Sequence, residues 1–352
     1  MDGNSLIVDN PADWRGPEIA ARRDWIHHFT AAEIAEIDAA HERARGSGKT
    51  LATLSAEDFP LPTLRPVLER ALAALENGPG IQHFRGFPAL DYPKEALRLI
   101  YWGIGKHLGT AVSQSRDGEL LGDVRDVGGD INTPTGRGYR TNQELIFHAD
   151  TCDVVGLMVL RTARSGGLSK VASSIAVHNE IARRRPDLLE ALYEPMAWSW
   201  QGGEGPGEKP YYIQPVFSRH RGRFSCRYIR PHIESAQRFP EIPRLTARQI
   251  EAMDLLDAIV RDENFQLSMM FEPGDIQFLN NHVCLHSRTA FEDWTEADRK
   301  RHLLRMWLSV ANSRELSPLM SAIYRDQRAG ALRGGFPSRT GGHRYETPGG
   351  AG

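Results

Sequence analysis

Cysteine, net charge and long apolar runs are what this chain has least of. Its three cysteines, Cys152, Cys226 and Cys284, make neither a paired disulfide framework nor a Cys-X-X-Cys site, and they read as reduced thiols of a cytoplasmic protein. The formal charge is −2, which removes the electrostatic reason to expect nucleic acid as a partner. No segment approaches the roughly 18 uninterrupted apolar residues that suggest a membrane span. The start, Met1-Asp2-Gly3-Asn4, lacks the positive charge and apolar run of an export signal, so neither export nor membrane insertion is expected. A Gly-X-Gly-X-X-Gly fingerprint between strand and helix is missing, which leaves a dinucleotide fold without support. No internal repeat is found. A chain of 352 residues, 40% hydrophobic and 25% charged, fits one large domain spanning 1–352 with a substantial core. Self-association is left open.

The first third, about residues 1–110, reads as helical support. Thr30-Ala31-Ala32-Glu33 is a capping box ahead of Ile34, Ile37 and Ala40, and helices are predicted again over 64–75 and 94–108. Between them Gly80 to Phe87 alternates like a short strand. Ser113 to Arg140 is polar and glycine-rich with few apolar anchors, which predicts either an active-site lid or a poorly ordered stretch, with Gln201 to Pro210 the next candidate for a gate. A core is expected over about 140–315. Within it Val154 to Leu160 is an apolar run of buried-strand type, and Val171 to Arg184 reads as helical. About 195–265 reads as an insertion of short strands and a helix that opens at Thr246-Ala247-Arg248-Gln249. Strands also read at 275–286 and 301–310, and the tail from Gly330, about 330–352, is expected to be mobile. Short late strands separated by turn signals argue for a sandwich or barrel, mainly β with flanking helices.

Phe147-His148-Ala149-Asp150 carries the chemistry. On an extended segment a His-X-Asp pair puts two metal-ligating side chains on one face. A third ligand could come from the run Asp275 to His286, where His282 and His286 both qualify and share a face if the run is one strand. Two imidazoles and one carboxylate that leave open coordination positions make the facial triad of non-haem Fe(II) oxygenases, and such wide ligand spacing is unlike a compact zinc module. A basic cluster, Arg299, Lys300, Arg301 and Arg305, follows.

In order, His148-X-Asp150, Gly166-Gly167-Leu168-Ser169, His286-Ser287-Arg288-Thr289-Ala290-Phe291 and Arg301-X-X-X-Arg305 resemble the taurine dioxygenase-like branch of the Fe(II)/2-oxoglutarate dioxygenases, over about residues 80–315. The resemblance implies a double-stranded β-helix, or jelly-roll, core. It implies His286 as the distal ligand, with His282 an ordinary neighbour, and Fe(II) bound by His148, Asp150 and His286. It implies 2-oxoglutarate as co-substrate, its far carboxylate held by Arg301 and Ser169, and O2 as oxidant. Arginine suits that carboxylate because its planar fork matches two oxygens and keeps its charge. Arg305, four residues on, shares the strand face with Arg301 and faces either co-substrate or substrate.

The expected activity is therefore oxidation of an unactivated C–H bond in a small molecule, with release of succinate and CO2. Two other readings use the same residues: a Zn(II) hydrolase or isomerase of cupin type, in which Arg301 and Ser169 have no task, and a catalytically silent ligand-binding relative. Arg227, Arg230, Arg288 and Arg305, with Tyr211, Tyr212, Tyr228, Trp198 and Trp200, could line a pocket for an anionic or partly aromatic substrate.

Overall fold

Helices form where the caps and periodicity place them. Thr30 Oγ1 accepts the Glu33 N–H at 3.2 Å while the Glu33 carboxylate accepts the Thr30 N–H at 2.8 Å, which closes the capping box ahead of the Ala31–Gly46 helix. Arg65–Asn77 and Lys94–Leu108 follow, and Ala247–Arg261 opens on a second box at Thr246 and Gln249. The computed structural model describes residues 6–129 and 138–347.

Two sheets form the centre. The larger runs in the order Ile26–His28, Ile81–Arg85, Ile276–Asn280, Val154–Arg161, His302–Ser309 and Thr110–Val112, with Leu121–Val124 also paired to His302–Ser309. Only its first pair is parallel. The smaller sheet, wholly antiparallel, runs Gln266–Met269, Ser169–Ser173, Cys284–Arg288 and Leu145–His148.

Side-chain alternation on His302–Ser309 separates two environments. Leu304, Met306 and Leu308 join Phe84, Met158 and Phe278 under the N-terminal helices, packed on Ile37, Leu68 and Ile100. Leu303, Arg305 and Trp307 point the other way, Trp307 sharing a core with Val171, Leu285 and Phe147 of the smaller sheet. The space between the sheets is thus part apolar core and part polar cavity.

The chain departs from the sequence reading in several places. Helices are as prominent as strands, so the architecture is mixed rather than mainly β: both sheets bury their outer faces, and each needs a helical cover. The run 275–286 is two strands, Ile276–Asn280 in the larger sheet and Cys284–Arg288 in the smaller, joined by a turn at 281–283. Ser169–Ser173 is a strand before the Ser174–Arg184 helix begins, because it pairs on both edges. Of the expected lid, 130–137 lies outside the described residues. Ser113, Gln114, Arg116 and Glu119 are buried and Leu121–Val124 is a paired strand, so that part is built into the fold. The tail is seated as far as residue 347: Phe336 donates its N–H to Ser113 O at 2.8 Å and Arg344 its N–H to Gly118 O at 2.8 Å. Among the described residues no helix is long and apolar enough to cross a membrane.

Candidate metal centre and its cavities

His148 and His286 face each other as cross-strand partners in the smaller sheet, where an irregularity between His286 and Arg288 lets the pairing shift. Their ring centroids are 4.3 Å apart. The strand ends at His148, so Asp150 is delivered by the turn that follows rather than by the strand itself. That turn is held from two sides: Ala149 donates its N–H to Tyr228 O at 3.0 Å, and Asp150 donates its N–H to Asn281 Oδ1 at 2.9 Å. Trp307 Nε1–H then donates to Asp150 Oδ2 at 3.0 Å and fixes the carboxylate plane.

The result is one cluster. Ligand atoms of His148, Asp150 and His286 all lie within 4.8 Å of one another. Asp150 oxygens are 3.8 Å from His148 Nε2 and 3.6 Å from His286 Nε2. His148 Nδ1 sits 2.8 Å from Ile146 O, and since a carbonyl only accepts, Nδ1 carries the proton and Nε2 presents its lone pair to the cluster. Burial pushes the His286 imidazole down to about 3, with the His148 ring adding to it, and lowers His148 as well. Burial alone would raise the Asp150 carboxyl, but Arg305, His286 and His148 outweigh it and hold it below the usual range. Neutral imidazoles beside an ionised carboxylate are the forms that bind a divalent cation. The donor set, two nitrogens and one oxygen on a single side, fits six-coordinate Fe(II) with three positions to spare.

His282 takes no part. It is fully buried in the turn between the sheets, its Nε2 2.9 Å from Asp153 Oδ1. Replacing it with alanine is expected to cost about 1.5–3 kcal/mol of stability by removing one of the hydrogen bonds to the buried Asp153 carboxylate, which keeps its contact with Arg333, and to leave metal binding intact. Thermal midpoint and metal content measured on the same preparation check this, and loss of metal would make His282 the distal ligand.

Two cavities meet at the cluster. A narrow one of about 60 Å³ is lined by His148, His286, Ser169, Gln277, Arg288, Arg301, Leu303 and Arg305. A wider one of about 210 Å³ is lined by His148, Asp150, Gln114, Tyr139, Gln201, Arg227, His232, Arg305, Trp307 and Phe336. In the narrow cavity Arg301 is 5% exposed, its Nη1 has no hydrogen-bond partner, and its guanidinium lies 5.0 Å from the Phe291 ring centre. Burial, with Arg288 alongside, pushes it down to about 9. It stays charged at neutral pH, so the site has an unmet demand for an anion. Ser169 is directly opposite Arg288 in the sheet register, its Oγ 3.4 Å from Gln277 Oε1. Arg288 donates through Nη2 to Thr141 O and Gln143 O, while its buried Nη1, like that of Arg301, has no hydrogen-bond partner among the described residues.

Arg305 lies between the cavities. Its Nε donates to Gln114 Oε1 at 2.5 Å, its Nη1 is 4.0 Å from Asp150 Oδ2, and its guanidinium covers the Tyr139 ring at 4.6 Å. Of the other candidates, Arg227 reaches the wide cavity and is braced on Ala149 O and Thr151 Oγ1. Arg230 is engaged by Glu234, Asp254 and Asp257. The Tyr228 hydroxyl donates to Asp257, the Trp198 indole to Gln214 O, and Tyr211 packs on Phe239. Trp200 and Tyr212 pack on each other, with Phe336 beside Trp200. Sequence reading missed Trp307, though it lies two residues past Arg305 on the same strand face. Gln114 and Phe336 gave no sequence signal.

Residues 47–307, well over half of the chain, match the model of the taurine catabolism dioxygenase TauD, TfdA family. The chain belongs to that family. As a TauD/TfdA protein it is an Fe(II)/2-oxoglutarate-dependent dioxygenase, with iron and 2-oxoglutarate as its cofactor and co-substrate. It is 32% identical over 317 residues to FR-33289 synthase of Streptomyces rubellomurinus, covering 88% of this chain and 92% of that one. It is 30% identical over 308 residues to the taurine hydroxylase-like protein SAT17 of Stachybotrys chartarum, covering 83% and 77%. Among solved structures, the non-haem iron oxygenase OrfP in complex with Fe and α-ketoglutaric acid superposes with a TM-score of 0.62 at 15% identity, covering 87% and 100%. Asparagine oxygenase in complex with Fe(II), hydroxyasparagine and succinate gives 0.61 at 19% identity, covering 81% and 93%. Membership in this family leaves the silent and hydrolytic readings without support.

Proposed function

We propose that this TauD/TfdA dioxygenase oxidises an unactivated C–H bond of a small anionic molecule and releases succinate and CO2. The observation that carries this reading is the meeting of two cavities at one His-Asp-His cluster, one of them ending on a buried arginine whose Nη1 has no hydrogen-bond partner among the described residues. His148, Asp150 and His286 hold the iron, which with 2-oxoglutarate supplies the dioxygen-activating chemistry. The two sheets are read as a double-stranded β-helix and the chain as one domain, in keeping with strands from both sheets lining the narrow cavity. Its free, buried cysteines fit a cytoplasmic setting.

The residues divide the work by charge. Two neutral imidazoles and one carboxylate reduce a divalent ion to a net +1, which favours a chelating anion. Arg301 takes the far carboxylate of 2-oxoglutarate through its fork, and Ser169 donates a further hydrogen bond. The apolar floor at Leu157, Phe271 and Leu303 strengthens that pairing by excluding water. On the other side, the charged residues lining the wide cavity among the described residues are Asp150, Arg227 and Arg305. Asp150 is used by the metal, so Arg305 is left to meet an anionic group on the substrate and to orient the reacting carbon toward the iron.

Two experiments test this. Anaerobic Fe(II) binding followed by O2-dependent succinate release is expected to be stoichiometric in iron, and turnover without succinate would end the reading. Arg305→Gln is expected to raise KM for the anionic substrate about tenfold or more while KM for 2-oxoglutarate stays near its starting value. The opposite split would exchange the roles of Arg301 and Arg305.

A further inference from the structure

Residues 330–347 lie beyond the stretch that matches the family, yet they reach the centre at both ends. Gly334 and Gly335 take positive φ of 84° and 68°, and a Cβ on Gly335 would stand 2.7 Å from Ser113 O. Only glycine lets the backbone come this close. Gly335 donates its N–H to Thr151 O at 2.7 Å, one residue past Asp150. Just before it Arg333, 3% exposed, places Nε 2.8 Å from Asp153 Oδ1, Nη2 donates to Arg314 O at 2.7 Å, and its N–H donates to Ser309 Oγ. Further on, Thr347 donates its N–H to Asp123 Oδ2 at 3.0 Å, and the same Asp123 lies 2.6 Å from His302 Nε2, next to Arg301. The ties over 333–336 make a fixed wall beside the metal cluster, and the exposed stretch 339–344 links it to the second tie at Thr347.

What the wall presents is Phe336. It is 8% exposed and lines the wide cavity, with ring centroids 5.9 Å from Trp307 and 6.5 Å from Trp200. Trp307 is the residue whose indole holds Asp150.

We propose that residues 330–347 form a strap that walls the substrate cavity, and that Phe336 is a specificity-determining residue that limits the bulk of the substrate's apolar body. The proposal rests on the wide cavity being the substrate site. Arg305 selects the charge of the substrate, and Phe336 selects its size. The substrate carries its anionic group on an apolar body small enough to clear the Phe336 ring, and bulkier acids are excluded by the ring rather than by the metal side. Specificity then resides partly in a segment that the family-matched region does not include.

The test uses the full chain with Fe(II) and saturating 2-oxoglutarate under anaerobic conditions, in wild type, Phe336→Leu and Phe336→Ala. The probes are acetate, hexanoate and 3-phenylpropanoate, with binding read from intrinsic tryptophan fluorescence. Acrylamide quenching of the ligand-free chain is measured alongside, because Trp200 and Trp307 flank the ring. In wild type the short acid is expected to bind better than 3-phenylpropanoate. In Phe336→Ala the ratio moves about tenfold or more toward the bulky acid, with Phe336→Leu intermediate. The affinity for 2-oxoglutarate is unchanged, and acrylamide quenching increases. An unchanged size ranking with unchanged quenching overturns the proposal, as does a parallel loss of 2-oxoglutarate affinity, which would mark a general collapse. If no probe binds wild type, the anionic-substrate reading fails, and quenching alone decides whether Phe336 is a wall.

Discussion

Alanine at His148, Asp150 or His286 is expected to abolish tight Fe(II) binding and to reduce succinate release to background. Each side chain supplies one of the three donors that cluster among the described residues, and two donors hold a labile divalent ion poorly against water. The fold should survive, because the three ligands are not what packs the sheets together: Val171, Leu285, Phe147 and Trp307 are. Asp150 is the informative position. Its carboxylate offsets Arg305 and accepts from Trp307, so Asp150→Ala leaves an uncompensated guanidinium as well as an open metal position. Asp150→Ala should therefore lose more thermal stability than His286→Ala. Iron content after anaerobic loading, thermal midpoint and succinate yield, measured on each variant and on His282→Ala, separate the outcomes. Stoichiometric iron in any of the three ligand variants would remove that residue from the metal site.

Arg301→Ala should raise KM for 2-oxoglutarate by roughly 10- to 150-fold, since a charge-assisted hydrogen bond is worth about 1.5–3 kcal/mol. The buried setting favours the upper end, because little water competes for the guanidinium. Removing a buried cation that lacks a hydrogen-bond partner at Nη1 also relieves a cost in the ligand-free protein, so the variant should be no less stable than wild type without ligand, even as it binds 2-oxoglutarate weakly. That pairing of undiminished stability with lost affinity is what an ordinary packing role would not produce. Ser169→Ala should change KM in the same direction but less. An Arg301→Lys variant should recover only part of the loss, because an ammonium cannot present the two-pronged fork.

Much of the site was legible because His148-X-Asp150, Gly166 to Ser169 and Arg301-X-X-X-Arg305 are each written in a short block, whereas the distal His286, far along the chain, was separated from His282 only by the family resemblance. His148, Asp150 and His286 come together within 4.8 Å, and Ser169, Arg301 and Arg305 line the adjoining cavity. The helices were legible through Thr30, Thr246 and their glutamate or glutamine partners. What stayed hidden depends on partners far away in the chain. The run from Asp275 to His286 reads as one strand despite three polar residues in a row at Asn280-Asn281-His282, and the partners that turn it are distant: Asn280 Nδ2 donates to Leu75 O and Asn281 Oδ1 accepts from Asp150, so the chain turns there and changes sheets. The tail looked solvent-borne by composition, and no local pattern announces that Arg333 will find Asp153 or that Phe336 will fill a gap beside Trp307. Ser113 to Glu119 likewise has too few apolar residues to suggest burial, and it is buried by hydrogen bonding, with Gln114 bridging Leu120 O and Arg305 O.

The two-faced strand His302–Ser309 constrains how this protein can vary. Its odd positions meet reactants and its even positions meet the helical layer, so a single inserted or deleted residue would turn Arg305 and Trp307 into the oily layer and bring Leu304 and Met306 to the iron. Substitution and length change therefore have opposite prospects here. Exchanges at 303 and 305 can retune what the enzyme accepts while the scaffold stays whole, whereas Trp307 also packs the sheets and holds Asp150, and any indel between Arg301 and Ser309 removes catalysis and stability in one step. A lineage diversifying its substrates would show point changes along this strand and keep its length fixed, leaving length variation to the loops outside the two sheets.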